Sequence, residues 1–278
     1  MENSIGIRAH DLSEKQTPLA LVALLKQYDF HTIQLVFPKA FLEPVTSLEQ
    51  AQDIATLLSN NGIQVVMLGA YFNPVHSDPK KVLSGIDNFK KNLAFAHAFK
   101  NNPYVGSETG SYHDQPWIYD PRNQTEEGYQ QTKAVFQELT QEAERLGSRI
   151  TIESAWNHVI YCYQEQARLL QELNSESVFA TVDLFNLLYE GNFDQRNDVF
   201  EGALKTLGSK VKIIHIKDGT LENGKLVQKT PGEGQFDYPF MISCVRKYCP
   251  EATLVFEGVK AEGILKAKKV LQDAFLKV

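Results

Sequence analysis

Short runs of apolar, β-branched residues alternate with longer amphipathic stretches along the whole chain. The short runs are typical of buried strands, and the longer ones repeat apolar residues with the 3.6-residue period of a helix. The predicted strands are 5–9, 32–36, 64–69, 104–108, 149–153, 179–183, 211–215 and 253–257. The predicted helices are 18–28, 47–61, 81–100, 125–146, 164–173, 198–207, 238–248 and 263–276. Two long segments between them, 109–124 and 219–235, are predicted to be polar loops.

Local signals support several of these helix ends. Ser47 and Gln50 have the spacing of a capping box, and Asp237 is a candidate N-cap. Gly62 and Gly147 follow helical segments, where glycine commonly ends a helix.

Strands that alternate with helices predict a parallel sheet with right-handed crossovers, and eight such units predict closure into a barrel. The 278 residues suit one α/β barrel, since such barrels typically take about 250 residues. Because no linker, repeat or compositional change marks a boundary, we expect residues 1–278 to form a single (β/α)8 TIM-barrel domain.

Composition narrows the classes of protein that the chain can represent. The net charge of −6 disfavours a nucleic-acid partner. No apolar run approaches about 18 residues, and the start of the sequence lacks a signal pattern, so we expect neither a membrane partner nor secretion. Three cysteines in no metal-ligand spacing indicate a reducing compartment, and we expect the cytoplasm.

Four polar residues stand at or near the carboxyl ends of the last four predicted strands: Glu153, Asp183, His215 and Glu257. In a parallel barrel these strand ends converge on one small volume, where active sites form. A single carboxylate there more often caps a helix or forms a salt bridge, but four donors in order favour a metal site. Mixed oxygen and nitrogen ligands suit one divalent ion, with Mn²⁺, Co²⁺ or Mg²⁺ favoured and Zn²⁺ compatible.

Lys217 lies two residues after His215, so both side chains point to the same face of the strand. It either reaches the mouth of the barrel or pairs with a carboxylate such as Asp218 for structural reasons. The Gly232–Asp237 segment that follows does not match a dinucleotide-binding fingerprint, because no strand runs directly into it.

On these motifs the chain resembles the xylose isomerase-like TIM barrel superfamily of sugar phosphate isomerases and epimerases, which is grouped with the family 2 apurinic endonucleases. The segments that carry the resemblance are Ile152-Glu153, Asp183–Leu188, His215–Asp218, Gly232–Asp237 and Glu257, with Gly69–His76, Gly106–Gly110 and His158 also similar. The resemblance covers nearly the full length. It implies that the four polar residues above bind one divalent metal.

The chain departs from its endonuclease-type relatives at two places. Those enzymes carry a histidine three residues after the aspartate of strand six, where this chain has Asn186. They also carry an Asp-x-His pair after strand seven, and residues 219–235 contain none. These differences, with the acidic charge, disfavour an abasic-site nuclease.

The resemblance implies a metal-dependent isomerase or epimerase acting on a sugar, sugar phosphate or related polyol. The metal polarises a carbonyl, Glu153 or Glu257 removes the neighbouring proton, and an enediolate results. Residues that follow or end other strands are candidate substrate contacts: His10, Tyr71, Asn73, Glu108, His158, Asn186 and Lys217. For His10 a surface loop, for Glu108 a simple turn and for His158 a helix cap are the alternatives.

Other functions and contacts stay open at this point. An inosose-type dehydratase would use the same metal site, and a non-catalytic sugar-binding barrel would keep the pocket without the reaction. Trp117 and Trp156 can stack on the apolar face of a sugar, although core packing or a dimer contact is the more common role of tryptophan. The sequence leaves a homo-oligomer open.

Overall fold

The computed structural model describes residues 3–115 and 117–278. Eight parallel strands close into a barrel in the order β1, β2, β3, β4, β5, β6, β7, β10, with β10 paired to β1. The strands are β1 Ile5–Arg8, β2 Thr32–Leu35, β3 Gln64–Gly69, β4 Tyr104–Glu108, β5 Arg149–Glu153, β6 Val178–Asp183, β7 Val211–Ile216, β8 Asp218–Glu222, β9 Lys225–Lys229 and β10 Thr253–Phe256. The fold predicted from the sequence, a (β/α)8 TIM barrel, is confirmed.

The helices surround the barrel. They are α1 Pro18–Gln27, α2 Phe37–Ala40, α3 Leu48–Asn60, α4 Pro79–Ala96, α5 Glu126–Leu146, α6 Tyr163–Leu173, α7 Leu184–Leu187, α8 Arg196–Leu207, α9 Tyr238–Tyr248 and α10 Ile264–Leu276. Short 3-10 turns occupy Ala9–Asp11, Pro121–Gln124, Phe193–Gln195, Gly208–Lys210 and Ala261–Gly263. Among the described residues, no helix is long and apolar enough to cross a membrane.

The predicted helix ends follow from local chemistry. Ser47 and Gln50 form the capping box at the start of α3, and Asp237 accepts a hydrogen bond from the Phe240 amide at 3.1 Å. Gly147 ends α5 in the left-handed conformation, with φ of 69°. Helix α4 begins earlier than predicted, at Pro79, because Asp78 caps it by accepting from the Lys80 amide at 2.9 Å.

The prediction of an irregular loop over 219–235 is wrong in its first half, where β8 and β9 form an antiparallel hairpin. Asn223 and Gly224 make the turn, with φ of 51° and 74°. Positive φ at both central residues matches the twist of a hairpin, and Asn-Gly is the dipeptide that adopts it most readily.

Asp218 organises the rest of this segment. Its carboxylate accepts hydrogen bonds from the backbone amides of Gly219, Gly232, Gly234 and Phe236 at 2.8, 2.9, 3.0 and 3.0 Å. The glycine-rich segment therefore wraps around one buried carboxylate, and Asp218 does not pair with Lys217.

A small apolar cluster fills the barrel interior below its carboxyl-terminal end. It contains Met67, Ile213 and Val255 from strands on different sides of the barrel. Side chains alternate along a strand, so residues two positions further on, His215 and Glu257, also face the interior. The barrel thus places the side chains of His215 and Glu257 directly above this apolar cluster.

Candidate metal centre and substrate cavity

Three buried side chains from consecutive strands converge at the carboxyl-terminal end of the barrel. Glu153 ends β5, Asp183 ends β6 and His215 lies near the end of β7, and their potential ligand atoms all lie within 4.8 Å of one another. His215 Nδ1 lies 3.3 Å from Glu153 Oε2 and 3.7 Å from Asp183 Oδ2. The side chains predicted from three distant parts of the sequence are therefore neighbours.

The geometry of this cluster fits a metal ion. Glu153 Oε2, Asp183 Oδ2 and His215 Nδ1 are buried and make no hydrogen bond of acceptable geometry to the described part of the chain. Two ligands bound to one ion at roughly 2.1 Å stand about 3.0–3.4 Å apart, close to the separations seen here. A cation at this place gives Glu153 Oε2 the partner that no described residue supplies, and it joins Lys217 Nζ, which lies 2.9 Å from Asp183 Oδ2, in balancing the carboxylate charges.

The hydrogen bond that His215 makes through Nε2 leaves its other ring nitrogen, Nδ1, to bind a metal. Its Nε2 lies 2.8 Å from Gln34 Oε1, and Gln34 Nε2 donates to the Tyr71 hydroxyl at 2.6 Å. Because a carbonyl oxygen only accepts, the proton of a neutral imidazole resides on Nε2 and the Nδ1 lone pair points to Glu153 and Asp183. A fixed partner on the distal nitrogen is the usual second-layer support of a metal-binding histidine.

Glu257, which directly follows β10, lies against His215 but is not one of the three residues whose ligand atoms all stand within 4.8 Å of one another. Its Oε2 lies 2.8 Å from His215 Nδ1, whereas Oε1 lies 2.7 Å from Arg8 Nη1 and 3.0 Å from Lys217 Nζ. Burial opposes ionisation, but Lys217, His215 and Arg8 outweigh it and hold the pKa of Glu257 well below its ordinary value. Glu257 is therefore a carboxylate with only Oε2 turned toward the imidazole.

Arg8 is fixed in turn by Asp11. Its Nε and Nη2 donate to the two carboxylate oxygens of Asp11 at 2.9 and 2.8 Å. Asp11 Oδ2 also accepts from the Gly258 amide at 2.7 Å. This bidentate pair ties the segment after β1 to the segment after β10, and so holds Glu257 in place.

Lys217 and Asn186 connect the carboxylates. Lys217 Nζ lies 2.9 Å from Asp183 Oδ2 and donates to Asn186 Oδ1 at 3.1 Å, while Asn186 Nδ2 donates to Glu153 Oε1 at 2.7 Å.

The charges of this cluster also act on the imidazole of His215. Burial lowers the pKa of His215, but Glu257 and Glu153 outweigh burial and raise this pKa well above its ordinary value. The cluster thus attracts positive charge strongly.

A cavity of about 930 Å³ opens above these side chains. Six of the seven residues predicted to contact substrate line it: Tyr71, Asn73, Glu108, His158, Asn186 and Lys217. His10 is half-buried in the turn after β1 and lies outside the cavity wall. The cavity therefore joins loops from most βα units over the candidate metal site, and we call this polar base of the cavity the floor.

Two groups in the cavity wall have altered proton affinity. Burial, followed by the charges of Glu153 and Glu257, raises the pKa of Glu108 to about 8, so this carboxyl group keeps its proton at neutral pH. Burial lowers the pKa of His158 to about 4, so its imidazole is neutral. Away from the wall, burial and then the charges of Arg8 and Lys39 lower the pKa of His10 to about 3.

Sequence reasoning did not identify three residues that support the site: Gln34, Arg8 and Asp11. Gln34 is completely buried in β2, between apolar neighbours. A fully buried amide must find hydrogen-bond partners, so a glutamine in the middle of an apolar strand is a signal that can be read from sequence.

Comparisons with known proteins agree with this fold. The sequence profile of the family described as Xylose isomerase-like TIM barrel matches residues 22–274. No protein in the search of curated sequences matches significantly. Among solved structures, the chain is similar to the IOLI protein with a bound zinc atom, with 19% identity, a TM-score of 0.74, and coverage of 99% of this chain and 98% of that one.

Two sugar epimerases are also similar. D-psicose 3-epimerase, solved in the presence of D-fructose, has 16% identity and a TM-score of 0.69, with 98% of this chain and 97% of that chain covered. The 3-keto-D-glucoside 4-epimerase YcjR of E. coli has 16% identity and a TM-score of 0.72, with 99% and 100% covered. At such identities the solved structures show the shared fold, and the family match over most of the chain shows its membership. The chain belongs to the xylose isomerase-like TIM barrel family.

Proposed function

We propose that the protein is a divalent-metal-dependent isomerase or epimerase acting on a sugar, a sugar phosphate or a related polyol. The observation that carries the proposal is the convergence of buried Glu153, Asp183 and His215, whose potential ligand atoms lie within 4.8 Å of one another at the floor of an open polar cavity. Structural neighbours that are sugar epimerases support the same reaction class.

We assign the metal to Glu153, Asp183, His215 and Glu257. Mixed oxygen and nitrogen ligands favour Mn²⁺, Co²⁺ or Mg²⁺, and the zinc in the IOLI structure keeps Zn²⁺ compatible. When bound, such an ion supplies Lewis-acid polarisation of a substrate carbonyl. That effect acidifies the adjacent C–H bond.

Glu153 and Glu257 are the catalytic residues of the proposal, with unequal surroundings. Glu257 Oε1 is held by Arg8 at 2.7 Å and Lys217 at 3.0 Å, which stabilise its charge and weaken it as a base. Among the described residues, the hydrogen bond that Glu153 Oε1 accepts comes from the Asn186 amide, at 2.7 Å. We therefore assign removal of the substrate proton to Glu153, whose carboxyl group then returns this proton to the neighbouring carbon of the enediolate, and ionised Glu257 is the second candidate base.

The substrate contacts of the proposal are the cavity residues Tyr71, Asn73, Glu108, His158, Asn186 and Lys217. Protonated Glu108 donates a hydrogen bond to a substrate oxygen, and the Lys217 ammonium stabilises developing negative charge.

All three cysteines are free in the structure, which supports a reducing compartment such as the cytoplasm.

The first test is metal content. Protein purified without chelator is expected to hold one equivalent of a divalent metal, and Glu153→Gln to lose most of it. Glu138→Gln serves as the control, because Glu138 lies on α5, far from the cluster in the fold, and its ion pair among the described residues is with Lys90 at 2.6 Å. A folded protein with no affinity for added Mn²⁺, Co²⁺, Mg²⁺ or Zn²⁺ would contradict the proposal.

The second test identifies the reaction. The metal-loaded protein is incubated in D₂O with a panel of ketoses. We expect the sugar to gain deuterium at the carbon beside the carbonyl and to lose no water. A product lighter by one water identifies a dehydratase instead. Metal binding with neither exchange nor dehydration across ketoses, sugar phosphates and inososes would indicate a non-catalytic sugar-binding barrel.

A further inference from the structure

One wall of the cavity is aromatic and lies apart from the polar floor. It is made of Trp117 and Tyr119 in the loop after β4, Trp156 in the loop after β5 and Tyr189 in the segment after β6, all of which line the cavity. We call these four residues the aromatic wall. Three successive βα connections therefore contribute large apolar rings to one side of a site whose floor carries charge.

The centre of the aromatic wall is a stacked pair. The rings of Trp156 and Tyr189 lie 3.8 Å apart with an interplanar angle of 9°, and Tyr119 lies nearly parallel to Trp156 at 6.2 Å. Trp156 is anchored through its backbone amide, which donates to the carbonyl oxygen of Asn186 at 2.7 Å. Because Asn186 also contacts Glu153, the aromatic wall has a fixed position relative to the floor.

Gly191 makes room for this arrangement. A Cβ atom at position 191 would stand 2.5 Å from Cε2 of Tyr189, closer than side chains tolerate, so a larger residue would push the ring out of the stack. The backbone φ of Gly191 is not in the positive region, so the need for glycine here comes from the approach of the ring.

The outer part of the aromatic wall is open to solvent. Trp117 is 44% exposed and Tyr119 is 46% exposed. Exposed aromatic rings that line a concave cavity indicate a ligand more strongly than scattered surface residues do. The cavity of about 930 Å³ is at the upper end of the range of small-molecule sites, about 300–1,000 Å³, and is larger than a single sugar beside the floor requires.

We propose that the aromatic wall is an outer subsite for a second sugar ring, so that the substrate is a ketose unit joined by a glycosidic bond to another sugar. This inference rests on the proposed function, since the metal floor binds the carbonyl-bearing unit. The flat C–H face of a pyranose packs on the exposed rings of Trp117 and Tyr119, which the stacked pair of Trp156 and Tyr189 supports, while Glu190 and Gln228, which also line the cavity, face its hydroxyl groups.

The test compares two sugars that share a ketose unit. D-fructose occupies the floor alone, whereas isomaltulose carries a glucosyl group on the same fructose unit. Isothermal titration of each into the metal-loaded protein is expected to give tighter binding of isomaltulose by about ten-fold, the ratio that about 1.4 kcal/mol of stacking produces.

Two substitutions assign this preference to the wall. Trp156→Ala removes the ring that supports Tyr119, and Gly191→Ala displaces Tyr189 from the stack without substituting any residue that lines the cavity. Both are expected to bring the ratio of affinities close to one. Leu265→Ala on α10, which removes a side chain that is 68% exposed and outside the cavity, is the matched control and is expected to keep the preference.

The outcomes separate the two proposals. Equal affinity for both sugars in a protein that exchanges deuterium into fructose overturns the outer subsite and leaves the proposed function intact. A preference that persists in both variants also overturns the subsite. Failure of both sugars to bind, together with no exchange across the ketose panel, overturns the proposed function and the subsite with it.

Discussion

Replacing Gln34 with leucine tests whether His215 is oriented as a metal ligand. Gln34 is fully buried and makes two hydrogen bonds, at 2.8 Å to His215 Nε2 and at 2.6 Å to the Tyr71 hydroxyl. Leucine has a similar size but neither donor nor acceptor, so both partners lose their bond. Each buried group left unsatisfied costs about 1–3 kcal/mol, so we expect the free energy of unfolding to fall by about 2–6 kcal/mol.

The effect on the metal is separable from the effect on stability. Loss of such a supporting residue typically lowers metal affinity by about 10–100-fold, because the imidazole is no longer held in one tautomer and orientation. Gln34→Glu is the matched comparison: its carboxylate still accepts from His215 Nε2, and the Tyr71 hydroxyl can donate to it. We therefore expect Gln34→Glu to bind metal more tightly than Gln34→Leu.

The assay is competition against a chromophoric chelator at pH 7, with urea unfolding of the metal-free proteins measured alongside. If Gln34→Leu is folded and binds the metal as tightly as the unsubstituted protein, then His215 either is not a ligand or does not depend on Gln34. Equal affinities of the leucine and glutamate variants would likewise contradict the argument from the tautomer.

Two further predictions concern stability. Burial lowers the pKa of His158 from 6.5 to about 4, so the folded chain excludes a proton that the unfolded chain binds below pH 6.5. The free energy of unfolding is therefore greatest above pH 6.5 and falls as the pH drops toward 4, by about 2 kcal/mol at pH 5. His158→Gln lacks this contribution, so the difference in urea unfolding between pH 7 and pH 5 should shrink by that amount, and an unchanged difference would contradict the burial argument. Asp218→Ala leaves four backbone amides without their carboxylate and should lower the free energy of unfolding by about 3 kcal/mol or more. Asp273→Ala, which removes a surface ion pair with Lys269 on α10, should change it little in the same thermal or urea assay.

The barrel could be predicted because its signals are local and repeated. Each strand is an apolar run of the right length, and closure of eight parallel strands forces their carboxyl ends together, whatever the exact loop geometry. Proximity of Glu153, Asp183 and His215 follows from that rule alone. The same rule cannot say which oxygen of Glu257 faces the imidazole, because that depends on Arg8 and Lys217 from other strands.

What the sequence did not reveal depends on register and on tertiary partners. Gln34 sits within an apolar run, and whether it faces the barrel interior is decided by the pairing of β2 with its neighbours, which includes a shift between Ile33 and Gln34. The hairpin over 218–229 was missed although Asn223 and Gly224 give a direct turn signal. Its flanking strands are too polar to be recognised from alternation of apolar residues.

The site divides into two parts that respond differently to substitution. The floor is carried by strand ends, whose positions are fixed by the hydrogen-bonded barrel, and its polar groups are tied to one another through Gln34, Asn186 and Lys217. The aromatic wall is carried by loops, and its centre is joined to the floor, within the part of the chain that the structure describes, by the backbone bond from Trp156 to Asn186. Loops tolerate change better than strands, so substitutions in the wall should alter which sugar binds, while substitutions in the floor should remove metal binding and proton transfer together. Asn186→Ala should separate the two parts, because it removes the side-chain bonds to Glu153 and Lys217 but keeps the backbone carbonyl that binds the Trp156 amide; it should weaken metal binding and leave the sugar preference of the wall in place.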